Sequence, residues 1–595
     1  MAEPVSITDV KTLQRFFSLQ KQNRNKAKLE LRLIHALDTE TRDGDIFLIA
    51  DSDGKFLDDI TPISVMNFLF SSKYQNTWNF FYNLNYDAEV ILKLLGSELF
   101  KYKKSRNLNF TFRDFKIKYI PSKTLTISKG HHSTIFFDIA QFFYKQSLLS
   151  AYEKNIGKVD DNYKEIKKKR AIFSKSFYRD NRNKVRNYCI QDCKFTKELS
   201  EHFVKLFHNA FGFYANRWLS SGYLAEKVII NHKIVIPEFN EIPFRIQQFS
   251  RWSYFGARFE ILKRGHIGTA YLYDINSAYP YAMTKIPDLQ DGKWINHKKI
   301  NLKAKMGFFK ILADIPDLET IPPFPFRKDK MIIFPSGKFE TYCTLAELQV
   351  CDPKFYKVLD AWQFIPNSES YPLKKFIEKL YRKRMRLKRQ KDPMELPIKI
   401  ILNSMYGKTG QLSKGERRIG NLFNPVIFAF ITGYARAMLY DFVKKNNLEK
   451  DIVSFATDSI CVTKKLRLNT HKLGDFSKEN EAKDVFFLQN GVYRFNGKWK
   501  NRGIGSLGIN QIEHLDTFEK DGKLFYRFKI LRSNRLRQSI LSNNLKDIGK
   551  FTEKTREINL NADKKRFWLE TLTGINDKMN QSLPISLNYF TKDEI

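Results

Sequence analysis

Two rhythms of hydrophobic and polar positions run along this chain. In residues 373–391, Lys375, Lys379, Arg382, Arg386 and Arg389 fall three and four apart on one stripe, which predicts a helix. Asp392 and Pro393 break it, and a second helix follows. There Lys399, Asn403 and Tyr406 (i, i+4, i+7) share a face, while Ile400, Ile401 and Met405 point elsewhere. The result is a helical hairpin with basic residues beside that face. Apolar runs at 31–34, 45–50 and 269–273 predict strands, and the second ends at the turn signal Asp53, Gly54. Phe80, Phe81 and Tyr82 form an aromatic strand leading into a helix at 88–95. Residues 451–454 and 460–463 read as hairpin arms with Asp458 and Ser459 near the bend. A helix is expected at 425–440, and its apolar run 425–432 is too short to span a bilayer.

At 595 residues the chain is too long for a single core and implies several domains. With 42% hydrophobic and 14% aromatic residues, buried cores are affordable and disorder is excluded. Charge changes the picture more: 102 Lys+Arg against 64 Asp+Glu leave +38, which suits a polyanionic partner. A basic protein without such a partner has the same balance. Five cysteines cannot build a disulfide framework, so a reducing compartment is expected. Cys189 and Cys193 lie one helical turn apart, but no second pair has zinc-ligand spacing. The N-terminus mixes Glu3, Asp9, Lys11 and Arg15 and lacks an apolar signal core. The expectation is a soluble, cytoplasmic, monomeric protein that handles nucleic acid without a membrane.

Carboxylates fall into two groups. Asp38 and Glu40, spaced i, i+2 at an expected strand end, point the same way and suit one divalent cation. Alone, such a pair is usually a solvated loop. Asn83 and Asp87 follow at a strand–helix junction, then Tyr188 and Asp192 on adjacent turns of a helix. Four carboxylates with a tyrosine form the kit for two-metal phosphodiester hydrolysis. Further on, a strand ends in Asp274, and Asp458 sits at the hairpin bend; the pair suits a second two-metal centre, for phosphoryl transfer. Two ordinary strand-end aspartates would look alike. The Lys399, Asn403, Tyr406 face suits a triphosphate, a sugar and a base, or a helix whose polar stripe meets water.

In this order these residues resemble the family B DNA polymerases, and more narrowly the protein-primed subgroup of phages, archaeal viruses and linear plasmids. Asp38/Glu40, Asn83/Asp87 and Tyr188/Asp192 look like the three exonuclease motifs. Residues 274–280 resemble D-x-x-S-L-Y-P with Ala278 in the Leu position, 399–407 fits K-x-x-x-N-S-x-Y-G, and Thr457, Asp458 and Ser459 fit the end of D-T-D-S. Tyr254, Phe255, Gly256 and Ala257 are similar to the Y-x-G-G/A element linking the two modules. By that resemblance Asp274 and Asp458 hold two Mg²⁺ (or Mn²⁺) ions, and Asp38, Glu40, Asp87 and Asp192 hold two more. Tyr188 orients the attacking water and Asn83 the frayed primer end. Lys399 meets the triphosphate, with Arg386 nearby; Tyr279 lies beneath the sugar and excludes a 2′-hydroxyl; Tyr406 and Asn403 shape the base-pair pocket. Ser147 and Leu148 match weakly an element that contacts single-stranded DNA and the priming protein, and the basic run 164–170 could meet either or only solvent.

The resemblance implies an α/β chain: an RNase H-like 3′–5′ exonuclease domain, then a right hand. The expected partition is exonuclease 1–215, linker and palm 216–290, subgroup-specific insertion and palm 291–370, fingers 371–408, palm 409–505 and thumb 506–595. It implies template-directed DNA synthesis with proofreading on primer-template DNA with dNTPs. A separate terminal protein is the expected primer, since about 37 residues before the first motif are too few for a fused priming domain. Three departures stand out. Ala456 replaces the first Asp of D-T-D-S, which leaves open a degenerate polymerase that acts mainly as exonuclease or DNA-binding replication factor. Residues 408–424 are too short for the full strand-displacement hairpin, so reduced processivity is expected. The K-x-Y element is unclear: Tyr493 supplies the aromatic, and Lys498 or Lys500 the cation. Arg502, Lys520, Arg532, Arg535 and Arg537 suit a thumb on duplex phosphates.

Overall fold

The computed structural model describes residues 30–104, 108–169, 175–413, 418–468, 470–501 and 517–587. Glu3, Asp9, Lys11, Arg15 and Arg502, named above, and Arg170 at the end of the basic run lie outside them. The N-terminal part is built on an eight-stranded mixed sheet in the order Phe56–Leu57, Asp45–Asp51, Ile34–Arg42, Trp78–Phe81, His132–Asp138, Thr124–Lys129, Phe115–Ile120, Leu108–Phe112. Ile34–Arg42 pairs parallel with Trp78–Phe81, which pairs parallel with His132–Asp138. Both faces of such central strands are covered, which is why Trp78, Phe80 and Phe81 are all buried.

Helix Arg182–Phe211 packs across this sheet. Its buried face joins Phe47, Trp78 and Phe80 to Trp218 and on to Ile398, Ile401, Leu402 and Met405 in one continuous core. The sheet and the Lys399 helix are thereby fixed relative to each other.

A second sheet of nine strands is centred on Lys263–Ile275, flanked by Phe476–Gln489 on one side and by Ser459–Val462 and Ile452–Ala456 on the other. A four-stranded antiparallel sheet (Gly292–Asn296, Tyr356–Pro366, Met306–Ile315, Gly337–Thr344) stands in the 291–370 segment. The basic hairpin is realised as Lys374–Arg389 and Glu395–Thr409.

Three boundaries differ from expectation. Asp38 and Glu40 lie inside Ile34–Arg42 rather than at its end, because pairing with Asp45–Asp51 continues to Arg42 through an irregularity after Glu40. The helix after Asn83 begins at Leu84, so Asp87 falls in its first turn. The apolar run at 425–432 opens a helix that continues to Lys445, the one helix among the described residues long and apolar enough to cross a membrane. It is a core helix, with 72% of its most apolar window buried. Gly433 allows its close approach to Thr344, since a β-carbon there would sit 2.4 Å from the threonine methyl. Its buried Arg436 pairs with Glu347 at 2.8 Å.

At the C-terminal end, Lys523–Ser533 and Phe551–Asn559 form a long hairpin with Thr517–Lys520 on its edge. Its tip, 534–550, is planted on the N-terminal domain. Leu536, Ile540 and Ile548 join the core beneath helix Leu84–Lys93. Lys93 Nζ donates to the carbonyls of Gly44, Lys546 and Ile548, and Leu536 N to Glu89. Gly44 has φ +77, and a β-carbon there would lie 2.2 Å from Ile548 O, so both backbone and space require glycine.

Candidate active site

Asp274 is the penultimate residue of the central strand of the second sheet, in register with Ser459; the last residue, Ile275, donates its N–H to Asp458 O at 2.9 Å. Antiparallel pairing thus sets the two carboxylates side by side across 184 positions of sequence, the difference of their numbers. The turn holding Asp458 is strained: Thr457 is β-branched yet has φ 74, and its N–H is held by Arg258 O at 2.9 Å. Arg258 is itself buried between the rings of Phe334 and Phe455. Ala456 stands opposite Ser459 and presents a methyl where the motif has a carboxylate.

Burial pushes Asp274 up to about 7, with Asp458 and Glu479 adding to it. Burial also lifts Asp458 to about 6, and Glu479 adds again. Glu479 is a third carboxylate that the motifs did not indicate. The pairing Leu272↔Asn480 is followed by Tyr273↔Lys478, so Glu479 is the extra residue of a bulge beside the pair.

Above this floor, Ile398, Ile400, Ile401, Leu402 and Met405 are buried, while Lys399 and Tyr406 are half-buried and Asn403 is exposed. The polar stripe therefore faces the cleft. Lys399 has its pKa lowered, first by burial and then by Arg384, Lys388 and Lys154, against the opposing pull of Glu395. The carboxylate that offsets it, Glu395, is itself bonded to Arg384. The Lys399 ammonium lies 5.1 Å from the ring centre of Tyr144, which comes from the N-terminal domain. Tyr279 and Tyr406 stack at 4.1 Å with their planes 22° apart. Along the basic helix, Lys375, Lys379, Arg382, Arg386 and Arg389 are exposed. Arg384, off that stripe, is the one that bonds Glu395 at 2.7 Å and reaches Ser277 Oγ at 3.3 Å, beside Asp274.

The other carboxylates also converge. Ligand atoms of Asp38, Glu40 and Cys189 lie within 4.8 Å of one another. Thr39 Oγ1 donates to Asp87 at 2.6 Å. Asp87 is pushed well up by burial and by Asp38, and Asp192 by burial and by Asp38, Glu40 and Asp87. Clustered buried carboxylates that raise one another fit hard divalent cations, which take oxygen ligands and relieve the repulsion. Two side chains of helix Asp161–Lys169, which holds most of the basic run, sit here, unforeseen: Tyr163 donates to Asp192 and stacks on Tyr188 at 5.3 Å, and Lys167 Nζ is 3.7 Å from Asp192. Asn83 takes a left-handed conformation (φ 65), pinned by its N–H to Asp138.

The remaining candidates are spread out. Gly256, with φ 73, carries its carbonyl against Arg436, between Tyr254 and the half-buried Ala257. Ser147 caps helix Leu148–Asn155 and Leu148 enters its core, which accounts for both without DNA. Lys500 lies opposite Tyr493 in a hairpin, 5.9 Å from its ring, while Lys498 is exposed opposite Phe495.

With folded pKa values above the ordinary 3.8, Asp274 and Asp458 disfavour the folded state increasingly as pH rises from 3.8 through about 7, and the cost is full above that. Divalent cations bound by the pair would cancel it. The increase in thermal midpoint on adding Mg²⁺ or Mn²⁺ is therefore expected to be larger at pH 8 than at pH 5; equal increments would contradict the electrostatics.

A family model described as DNA polymerase type B, organellar and viral, matches residues 70–417. A DNA polymerase of Acidianus bottle-shaped virus (isolate Italy/Pozzuoli) is 25% identical over 578 residues, covering 86% of this chain and 82% of its own. A probable DNA polymerase of Ascobolus immersus is 27% identical over 39% of this chain and 20% of its own. Among solved structures, phi29 DNA polymerase with primer-template DNA and incoming nucleotide aligns at TM-score 0.62 and 14% identity over 89% of this chain and all (100%) of that one. Its complex with single-stranded DNA aligns at 0.55, 15% identical, over 88% and 92%. Together with the two sheets and the basic hairpin, these findings establish that the chain belongs to the organellar and viral type B DNA polymerases and is a DNA-directed DNA polymerase.

Proposed function

We propose that this polymerase extends a primer 3′ end at Asp274 and Asp458 and proofreads at Asp38, Glu40, Asp87 and Asp192. The observation that carries the reading is the placement of Asp458, in the turn before the strand that pairs with Asp274's, next to Asp274 beneath the Lys399 face. Two Mg²⁺ (or Mn²⁺) ions at each centre, when bound, activate the attacking oxygen and neutralise the leaving group. The chain's own groups do the rest. Lys399, half-buried among Arg384 and Lys388, takes the triphosphate as its anion, with Arg384 as a second cation tied to the Asp274 turn. Tyr279, braced by Tyr406, lies under the sugar where a 2′-hydroxyl would strike its ring. At the second centre, Lys167 and Tyr163 hold Asp192, and Tyr188 stacks beside them to orient water.

In this reading residues 1–215 form the exonuclease, 371–408 the fingers and 506–595 the thumb, and the polymerase works as a monomer inside the cell of its virus's or plasmid's host. Ala456 favours one rival, a polymerase reduced to exonuclease and DNA binding. Primer extension by the purified full chain with Mg²⁺ decides between them: elongation of a primed template supports the reading, and no elongation with intact single-strand degradation supports the rival. Priming is expected to use a separate terminal protein. Covalent transfer of a dNMP to a candidate protein hydroxyl, without a DNA primer, is the measurement; extension from oligonucleotides only would sink that part.

A further inference from the structure

Between the Tyr406 face and the linker element stands a residue that none of the motifs contains. Phe428 lies in the first turn of Pro425–Lys445, where Val426, Ile427, Ala429 and Phe430 are buried, yet its own ring is only half-buried. That ring lies nearly parallel to Tyr406, 13° between planes and 6.0 Å between centres. Its other neighbour is Tyr254, at 4.6 Å and 30°. Tyr406 in turn stacks on Tyr279 at 4.1 Å. Four rings from four separate segments thus form one column, from the tyrosine beneath the sugar to the Tyr254–Ala257 linker.

Gly410, the C-terminal cap of the Lys399 helix, makes the column possible. A β-carbon there would come 2.5 Å from the ring atoms of Phe428. Its φ is −106, so space rather than backbone conformation calls for glycine. Core packing alone would place the Phe428 ring inward with its neighbours. Instead the ring projects to the cleft side and meets two tyrosines face on.

We propose that Phe428 is a positioning residue for nucleotide selection: it fixes the plane of Tyr406, and through it Tyr279, against the linker tyrosine. The proposal rests on the assignment of Tyr279 and Tyr406 to the nucleotide pocket. Stacked rings resist tilting more than an aliphatic contact of the same size does, because the quadrupoles favour one offset geometry. A selection that depends on a ring excluding one hydroxyl tolerates only a fraction of an ångström of play. Removing the support lets Tyr406 tilt, widens the gap above Tyr279, and weakens the discrimination between deoxy- and ribonucleotides.

The test uses full-length Phe428→Leu, which keeps apolar bulk, and Phe428→Tyr, which keeps the ring. In single-nucleotide primer extension, Phe428→Leu is expected to raise KM for dNTP about tenfold and to lower discrimination against ribonucleotides by a similar factor, with kcat reduced no more than about twofold. Phe428→Tyr should stay within about twofold of the parent in both. Gly410→Ala, which pushes the ring aside without altering it, should shift KM and discrimination in the same direction as Phe428→Leu. Thermal midpoints of all three variants separate loss of fold from loss of positioning. Unchanged KM and discrimination in a folded Phe428→Leu overturn the proposal, as do equal losses in the Leu and Tyr variants. A parent protein that adds no nucleotide overturns the underlying reading as well, whereas an active parent with an indifferent Phe428→Leu overturns this inference alone.

Discussion

Replacing Asp458 by alanine is expected to abolish primer extension, by roughly a thousandfold or more, while degradation of single-stranded DNA continues. In the proposed reading the two carboxylates share the cations, and Asp274 alone would hold them less firmly. The loss should come without unfolding, since Asp458 is only half-buried and its carboxyl is already pushed up to about 6. Removing it takes away a charge that raises Asp274, so Asp274 should titrate lower in the variant. Rate measurements with saturating dNTP separate this from weak binding: kcat falls, not KM alone. If extension persists, the working carboxylate pair is a different one, and Glu479 is the neighbour to replace next.

Asp87→Ala should do the converse. Excision from a mismatched 3′ end is expected to fall by roughly two to three orders of magnitude, with nucleotide addition unchanged. The stability readout has an unusual sign. Asp87 is buried and pushed well up by Asp38, so the fold without cations is strained by its charge. Against this, Thr39 loses its acceptor. At pH 8 without divalent cations the variant should be at least as stable as the parent; with Mg²⁺ the parent should overtake it. A variant less stable in both conditions would assign Asp87 to packing rather than to a cation site.

The Lys399, Asn403, Tyr406 stripe is legible because a helix repeats its faces locally, and the buried set Ile398, Ile401, Leu402, Met405 leaves the polar residues one way to point. The hairpin around Asp458 is legible for the same reason, through alternation and a turn. The basic helix shows the limit. Its stripe through Arg386 is strongly periodic, yet it meets solvent, and Arg384 is the residue turned to the Asp274 turn. Periodicity defines faces but does not say which face is docked.

Glu479 and Tyr163 had no readable signal, and Lys167 and Phe428 stood out only as members of a basic run and an apolar run. Each acts through partners contributed by distant segments, and each sits in a stretch with no distinctive spacing. The planting of 534–550 on the N-terminal domain belongs with them: Leu536 and Ile548 carry no motif, yet they enter a core built from residues 37–136.

The sequence alone was thus enough for the chemical inventory, the helix face that carries Lys399, the two groups of carboxylates and the polyanionic partner, because residue type and local period survive without a fold. The convergence of Asp274 on Asp458, the choice of Arg384, the bulge at Glu479 and the four-ring column came from packing. They depend on apolar surfaces far apart in the chain being buried against one another, and no local pattern encodes which surface meets which.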